Sequence, residues 1–264
     1  MSKTIALLTD FGPKDGFTGT LKGVIHNIYP EAITIDISHD IKPQDIRSAS
    51  WILNNCYRFF PKETIFVCVV DPGVGSKREH LLIVLDHYIF IGPNNGFISK
   101  LLVKSDPQKI IRLENKDYWL PNVTHTFHAR DIYAPVAAHL ANKPNIINSL
   151  GTSITEDEIL LLNYKSPKII DKKITGCIDY IDHFGNLITN IPDTLLTSSK
   201  IKIVVNDNYI TTINNCYSDV ESGELVALIG SHGFLEISVN CGNAQEKTFT
   251  KIEDQIIVIL DDNK

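Results

Sequence analysis

The hydrophobic period of this chain changes once along its length, and that change bounds the fold more tightly than any other feature. Up to about residue 140, short apolar runs alternate with segments of helical spacing. Lys3–Thr9 is apolar and ends at Asp10-Phe11-Gly12. Phe17–Tyr29 places Leu21, Val24, Ile25 and Ile28 on one helical face. Ile33–Ile37 is short and β-branched. Gln44–Phe59 carries Ile46, Ala49, Ile52, Leu53 and Cys56 at helical spacing, and Thr64–Val70 is a continuous apolar run ending at Asp71-Pro72-Gly73. Strands alternating with helices predict βαβ units, and continuously apolar strands predict a sheet covered on both faces. Leu81–Leu85 and Tyr88–Ile91 predict a hairpin ahead of the turn segment GPNNG, and Ala129–Leu140 predicts one more helix, with Pro135 inside it.

Beyond about residue 165 the helical period is lost. Lys173–Tyr180, Leu187–Asn190, Ile201–Val205, Tyr209–Ile213, Leu225–Ile229, Phe234–Val239 and Gln255–Leu260 are short β-rich runs separated by polar turns. The expected organisation is an α/β domain with a mostly parallel sheet over residues 1–164, then a smaller all-β domain, barrel or sandwich, over residues 165–264. Tyr164–Lys173 is the expected linker. Parallel sheets bind ligands beyond the carboxyl ends of their strands. Here those ends carry Asp10, the Asp36–Asp40 segment and Asp71, a polar rim on an apolar sheet.

Composition narrows the function. The net charge of -6, from 31 acidic and 25 basic residues, argues against gripping a nucleic-acid backbone. The opening apolar run stops at Asp10, too short for a secretory signal, and no run approaches the length of a membrane span. The five cysteines (Cys56, Cys68, Cys177, Cys216 and Cys241) form no CxxC pair. A cytoplasmic chain with reduced thiols and no cysteine-built zinc site is expected.

Four segments carry candidate chemistry. In Thr9-Asp10-Phe11-Gly12, an aspartate at a strand end can accept both hydrogen bonds of a ribose diol, or cap a helix starting near Gly16; spacing alone favours the cap. In Asp71-Pro72-Gly73-Val74-Gly75-Ser76-Lys77-Arg78, a tight glycine-bearing loop brings Asp71 near Arg78, either as a working pair or as a surface ion pair of little energetic weight. The loop lacks the spacing of a phosphate-binding loop. In Thr126-Phe127-His128-Ala129-Arg130-Asp131, His128 can meet a bound water, cap the helix, or pair with His125 on a metal that would need a third ligand. In the β-rich half, Asp182-His183-Phe184-Gly185-Asn186 and Ser231-His232-Gly233-Phe234-Leu235-Glu236 are either plain hairpin turns or a cradle for a zwitterion, with Asp182 accepting from an ammonium and Asn186 donating to a carboxylate.

Taken as an ordered set, TDFG, HDIKPQDI, VVDPGVGSKR, GPNNG, TFHARD, DHFGN and SHGFLEI resemble the S-adenosyl-L-methionine hydroxide adenosyltransferases, relatives of the SAM-dependent fluorinase and chlorinase. The likeness runs from about Ile5 to Leu260. It implies a Rossmann-like N-terminal domain and a C-terminal β-barrel. It also implies a homotrimer holding its substrate between one subunit's N-terminal domain and its neighbour's C-terminal domain. The activity implied is hydrolysis of SAM to adenosine and L-methionine, SAM being substrate and no cofactor or metal being required. By the resemblance, Asp71, Arg78 and His128 match a catalytic Asp–Arg–His triad, and Asp10 matches the ribose-diol carboxylate. Asp182, Asn186 and Ser231 match methionine- or adenine-side contacts, joined in the expected substrate-binding set by Phe127, Phe184 and Glu236. The halogenating relatives carry an extra loop after the third strand, absent between Asp71 and Arg78, and a tyrosine where His128 stands. Both departures favour water over halide. Gln44 stands where the fluorinase has a tryptophan. A metal-dependent phosphohydrolase acting on nucleotides through the strand-end aspartates and a non-catalytic SAM or adenosine sensor are the competing readings.

Overall fold

The structure is a computed structural model that describes residues 4–198 and 200–261. Its backbone divides into two compact units, with the break between Leu162 and Asn163.

The first unit is built on a seven-stranded sheet. Its strands are β1 (Thr4–Thr9), β2 (Ile33–Ser38), β3 (Ile65–Val69), β4 (His80–Leu85), β5 (Tyr88–Pro93), β6 (Lys109–Leu113) and β7 (Gly151–Ser153), in the order β2-β1-β3-β5-β4-β6-β7. Helices α1 (Phe17–Ile28), α2 (Ile46–Cys56), α3 (Ser99–Leu102) and α4 (Ala134–Asn142) accompany it. The pleat sorts the apolar runs of the central strands between two cores. Ile5 and Leu7 of β1, with Ile65, Val67 and Val69 of β3, face the core that contains Leu21 and Ile25 of α1 and Val136 and Leu140 of α4. Ala6, Leu8, Phe66 and Cys68 face the core that contains Ala49 and Leu53 of α2 and Leu101 of α3. Two buried faces explain why these strands show no polar alternation. Each fully buried Leu, Ile or Phe contributes about 1.5–3 kcal/mol.

The sheet is mixed, which corrects the expected mostly parallel one. β1 pairs in parallel with β2 and β3, and β3 with β5, but β4 runs antiparallel to β5 and β6, and β6 antiparallel to β7. The reason is connection length. Parallel neighbours need a crossover of a dozen or more residues. The chain supplies these through α1 and α2, then joins β4 to β5 with only Asp86 and His87.

Helix boundaries follow local chemistry. Gln44 has φ 70°, so the helix expected from Gln44 begins instead after Asp45, whose Oδ1 accepts from the Ser48 N–H at 3.0 Å as an N-cap. α1 starts at Gly16 with no side-chain cap. The helix expected over Ala129–Leu140 opens with a π turn, Ala129–Tyr133, in which the Ala134 N–H reaches the Ala129 carbonyl; α-helix follows.

Among its described residues the second unit has nine strands: β8 (Lys168–Ile170), β9 (Lys173–Ile181), β10 (Leu187–Pro192), β11 (Lys200–Val205), β12 (Asn208–Ile210), β13 (Ile213–Asn214), β14 (Leu225–Ile229), β15 (Phe234–Val239) and β16 (Gln255–Asp261). Eight pair in the order β12-β11-β16-β9-β10-β15-β14-β13, and β8 pairs with β9. The sheet curls as a half-barrel around Ile178, Leu187, Ile203, Leu235, Ile237 and Val258. The expected linker Tyr164–Lys173 therefore contains a strand, β8. The expected Tyr209–Ile213 run is divided between β12 and β13 by the exposed Thr211 and Thr212, and one short helix, α5 (Ala244–Thr248), interrupts the all-β pattern.

Candidate active site

Three loops of the first unit meet at one end of its sheet. Beyond β1, the Asp10 carboxylate accepts the Gln44 N–H at 2.8 Å. This long-range bond takes the place of the local helix cap that spacing favoured. Thr9 Oγ1 lies 2.8 Å from His39 Nδ1, and Gly12, at φ 70°, donates its N–H to the His39 carbonyl at 2.7 Å. Asp10 is thereby fixed against the segment that precedes α2.

Beyond β3, Asp71 turns back across the end of β5 toward Arg78, which precedes β4. The two form a bidentate pair, through Arg78 Nε to Asp71 Oδ1 at 2.7 Å and Arg78 Nη2 to Asp71 Oδ2. Their side chains are only 9% and 4% exposed, so this is a buried ion pair rather than a surface one. Gly75, at φ 80°, permits the turn; a Cβ there would run into the carbonyl oxygen of His125.

The third loop precedes the π turn. Asp131 is fully buried and holds it closed, accepting from the N–H and Oγ1 of Thr124 at 2.8 and 2.7 Å and from Arg130 Nε at 2.6 Å. His128 is 7% exposed, and its Nδ1 lies 3.4 Å from Arg78 Nη2. Burial and the neighbouring guanidinium both hold His128 below its ordinary pKa, so it is neutral near pH 7. Arg78 cannot lose its protons, so the His128 nitrogen facing it carries the lone pair, and the remaining proton of the neutral ring sits on Nε2.

Asp10, Phe11, Gln44, Asp71, Val74, Phe127 and His128 line one pocket of about 320 Å³. Arg78 stands behind its wall. Phe11, Phe17 and Phe127 make an edge-to-face trio, with centroids 5.2–5.8 Å apart, and the Arg130 guanidinium lies 4.9 Å from the Phe127 centroid. The fold thus brings Asp10, Asp71, Phe127 and His128 to one cavity. His125 and His128 gain no third ligand: among the described residues, no group of three His, Cys, Asp or Glu side chains is placed to hold a metal.

The second unit has its own pocket of about 620 Å³, lined by Asp182, Phe184, Asn186, Tyr217, Asn240 and Cys241 among others. Asp182 Oδ1 accepts the Phe184 and Asn186 N–H groups, each at 2.9 Å, and Asn186 Nδ2 donates to Asp182 Oδ2 at 2.8 Å. The two expected ligands of a zwitterion therefore brace each other, while the Phe184 ring stands 72% exposed. Ser231 is exposed in the turn between β14 and β15 and is not part of the pocket wall. Glu236 is buried behind that wall. It accepts from Tyr217 and Ser238 at 2.8 Å each and meets His232 Nε2 at 3.2 Å. Burial pushes its carboxyl up, but these hydrogen bonds outweigh burial and leave it below its ordinary pKa. The Tyr217 hydroxyl is pushed up to about 12 by burial and by Glu236.

Comparison with known proteins decides the family. Residues 5–151 match the model of the SAM hydroxide adenosyltransferase N-terminal domain, and residues 176–257 match that of the C-terminal domain. The chain belongs to the SAM hydroxide adenosyltransferase family. An (R)-S-adenosyl-L-methionine hydrolase of Methanocaldococcus jannaschii is 33% identical, covering 97% of this chain and 95% of the relative. A fluorinase of Actinoplanes sp. is 26% identical, covering 89% and 90% of the two chains. A crystal structure of an uncharacterized conserved protein from Thermotoga maritima superposes with a TM-score of 0.89 at 33% identity, over 97% of this chain and 99% of that one.

Two residues of this family member's site lay outside the sequence-based expectation. Tyr133 and His80 meet the far side of Arg78, at 2.9 Å from Nη1 to the Tyr133 hydroxyl and 3.2 Å from Nη1 to His80 Nδ1. His80 had a legible signal only in its nearness: it opens β4 two residues after Arg78. Tyr133 had none, because it lies five residues beyond His128 and an α-helix would turn it elsewhere.

Proposed function

We propose that this protein hydrolyses S-adenosyl-L-methionine at the ribose C5′ carbon, releasing adenosine and L-methionine. One observation carries the reading: Asp71 and His128, clamped from behind by Arg78, share a pocket wall with Asp10. Family membership and the hydrolase relatives support it. In this reading Asp10 binds the ribose diol and Phe127 lies against the nucleoside. Asp182, Phe184, Asn186 and Ser231 receive the rest of the substrate, and Glu236 sets the Tyr217 side of that wall.

The reaction is an in-line displacement. Water oxygen forms a bond to C5′ as the C5′–S bond breaks, its electron pair leaves on sulfur, and methionine departs as a neutral thioether while one water proton is lost. The positive charge on sulfur disappears along this path, so a pocket that solvates cations poorly lowers the barrier. His128 donates from Nε2 to the attacking oxygen and favours hydroxide character. Asp71 is the proton acceptor with capacity to spare. Of its four lone-pair positions, Arg78 occupies two and the Gly73 N–H one. The sulfur leaves without protonation, so the chain's own residues suffice, with SAM and water as the two reactants. The working protein is a cytoplasmic homotrimer, with the Rossmann-like half of one subunit and the barrel-like half of the next enclosing the substrate.

The test is incubation with SAM in ¹⁸O-water. Adenosine and methionine should appear in equal amounts with the label in the adenosine 5′-hydroxyl, and added fluoride or chloride should give no 5′-halogenated nucleoside. Label in methionine, or loss of turnover on adding a chelator, would overturn the reading.

A further inference from the structure

Arg78 makes more contacts than an ion pair requires, and the surplus is directional. A guanidinium has five N–H donors. Here Nε and one Nη2 hydrogen serve Asp71, the second Nη2 hydrogen faces His128, and the two Nη1 hydrogens face Tyr133 and His80. No donor remains for a ligand. Arg78 therefore acts through its neighbours, and whatever holds its Nη1 edge sets the angle at which its Nη2 edge meets Asp71 and His128.

That hold is a closed triangle. Arg78 Nη1 donates to the Tyr133 hydroxyl at 2.9 Å, Tyr133 lies 2.8 Å from His80 Nδ1, and Nη1 lies 3.2 Å from the same nitrogen. Because Arg78 only donates, His80 Nδ1 is assigned as the lone-pair nitrogen; its single lone pair takes the Tyr133 hydroxyl at 2.8 Å as the main donor, with Arg78 Nη1 at 3.2 Å as the lesser one. The Tyr133 hydroxyl then has one direction in which to send its proton, toward His80. Tyr133 is fully buried, and the His80 ring stands edge-to-face with His128 at 5.0 Å and with Trp119 at 5.8 Å. We propose that Tyr133 and His80 are positioning residues for the hydrolysis, an acceptor pair that fixes Arg78 and, through it, the donor face of His128. Burial, Arg78 and His128 bring the His80 pKa down to about 3, which keeps the acceptor unprotonated throughout the working pH range.

The inference rests on the hydrolase reading above, and its test separates the two. Wild-type turnover of SAM is measured first; its absence would sink the reading and leave the hydrogen-bond assignment standing. The full-length variants Tyr133→Phe, His80→Leu and His80→Asn are then compared by steady-state kinetics and calorimetry. Asparagine keeps an acceptor near the position of Nδ1, and leucine does not. Tyr133→Phe and His80→Leu should lose at least tenfold in kcat with KM changed less than threefold. His80→Asn should recover most of that kcat even if its Tm is no higher than that of His80→Leu. Ring-nitrogen NMR on ¹⁵N-histidine-labelled protein should show His80 Nδ1 unprotonated at pH 7. A protonated Nδ1, an unchanged kcat in Tyr133→Phe and His80→Leu, or an asparagine variant no more active than the leucine one would each overturn the proposal.

Discussion

Replacing Asp71 by asparagine tests the buried pair in its least invasive form. The shape is kept and one charge is removed. Asp71 Oδ1 accepts from Arg78 Nε and the Gly73 N–H, and Oδ2 accepts from Arg78 Nη2. An amide offers one acceptor and one NH₂ group, so in either orientation a donor faces a donor. The guanidinium, 9% exposed, is left without its counter-charge. Removing one partner of a buried pair costs about 3–5 kcal/mol. In a unit of this size each kcal/mol shifts Tm by about 2–4 °C, so a fall of about 6–20 °C is expected in scanning calorimetry. Loss of the proton acceptor should lower kcat on the order of 100-fold or more. The double variant Asp71→Leu/Arg78→Met removes both charges and should recover much of the lost stability with none of the activity. A Tm drop below about 2 °C in Asp71→Asn would refute the buried pair as described, and a double variant no more stable than the single one would refute uncompensated charge as the cause.

Three further outcomes follow from the geometry. Asp10→Asn should raise KM for SAM about tenfold with kcat little changed, since a hydrogen bond to a charged group is worth about 1.5–3 kcal/mol; an unchanged KM in steady-state kinetics would remove Asp10 from the diol. Gly75→Ala places a Cβ against the His125 carbonyl at a positive φ and should cost about 1–3 kcal/mol, with kcat falling more than KM rises, as measured by chemical denaturation and kinetics. The pH dependence has a definite sign. His128, facing Arg78, Asp131 and His125, and His80, facing Arg78 and His128, both have lowered pKa values, so the unfolded chain binds more protons than the folded one below pH 6.5. Stability is full above that pH and declines as pH falls toward 3. The decline should be shallower in His80→Asn, and the acid limb of kcat should lie below pH 6.5.

Reading the sequence alone went furthest where local rules govern. The apolar runs of β1 and β3, buried on both sides, are visible in composition and length, and so is the tight loop that folds Asp71 back on Arg78. It failed where the decisive contact is remote or the backbone leaves its usual period. The β4–β5 hairpin was legible in its two-residue turn, Asp86-His87, but apolar runs look alike in parallel and antiparallel sheets, so the antiparallel pairing of β6 with β4 and of β7 with β6 was not. Asp10 reads as a cap until Gln44, 34 residues on, supplies the N–H that it accepts. Ile169 and Ile170 are exposed in β8, and such an edge strand has no buried face to announce it. In Asp182-His183-Phe184-Gly185-Asn186 the hairpin turn and the pocket wall are the same residues, so forming the turn does not by itself rule out binding a ligand there.

The π turn at Ala129–Tyr133 makes the count of residues there a functional quantity. Such a turn holds one residue more than the α-helix it interrupts, and it lets His128 and Tyr133, five apart, address the same arginine. Deleting a single residue from this stretch would let the helix close with ordinary i→i−4 bonds, a change the backbone itself would welcome. It would also swing the tyrosine away from the guanidinium. A shortened chain of this kind should be unable to turn over its substrate and should also lose stability, because the buried Tyr133 hydroxyl and Arg78 Nη1 would lose each other; the residue count here is held by the site against the preference of the helix.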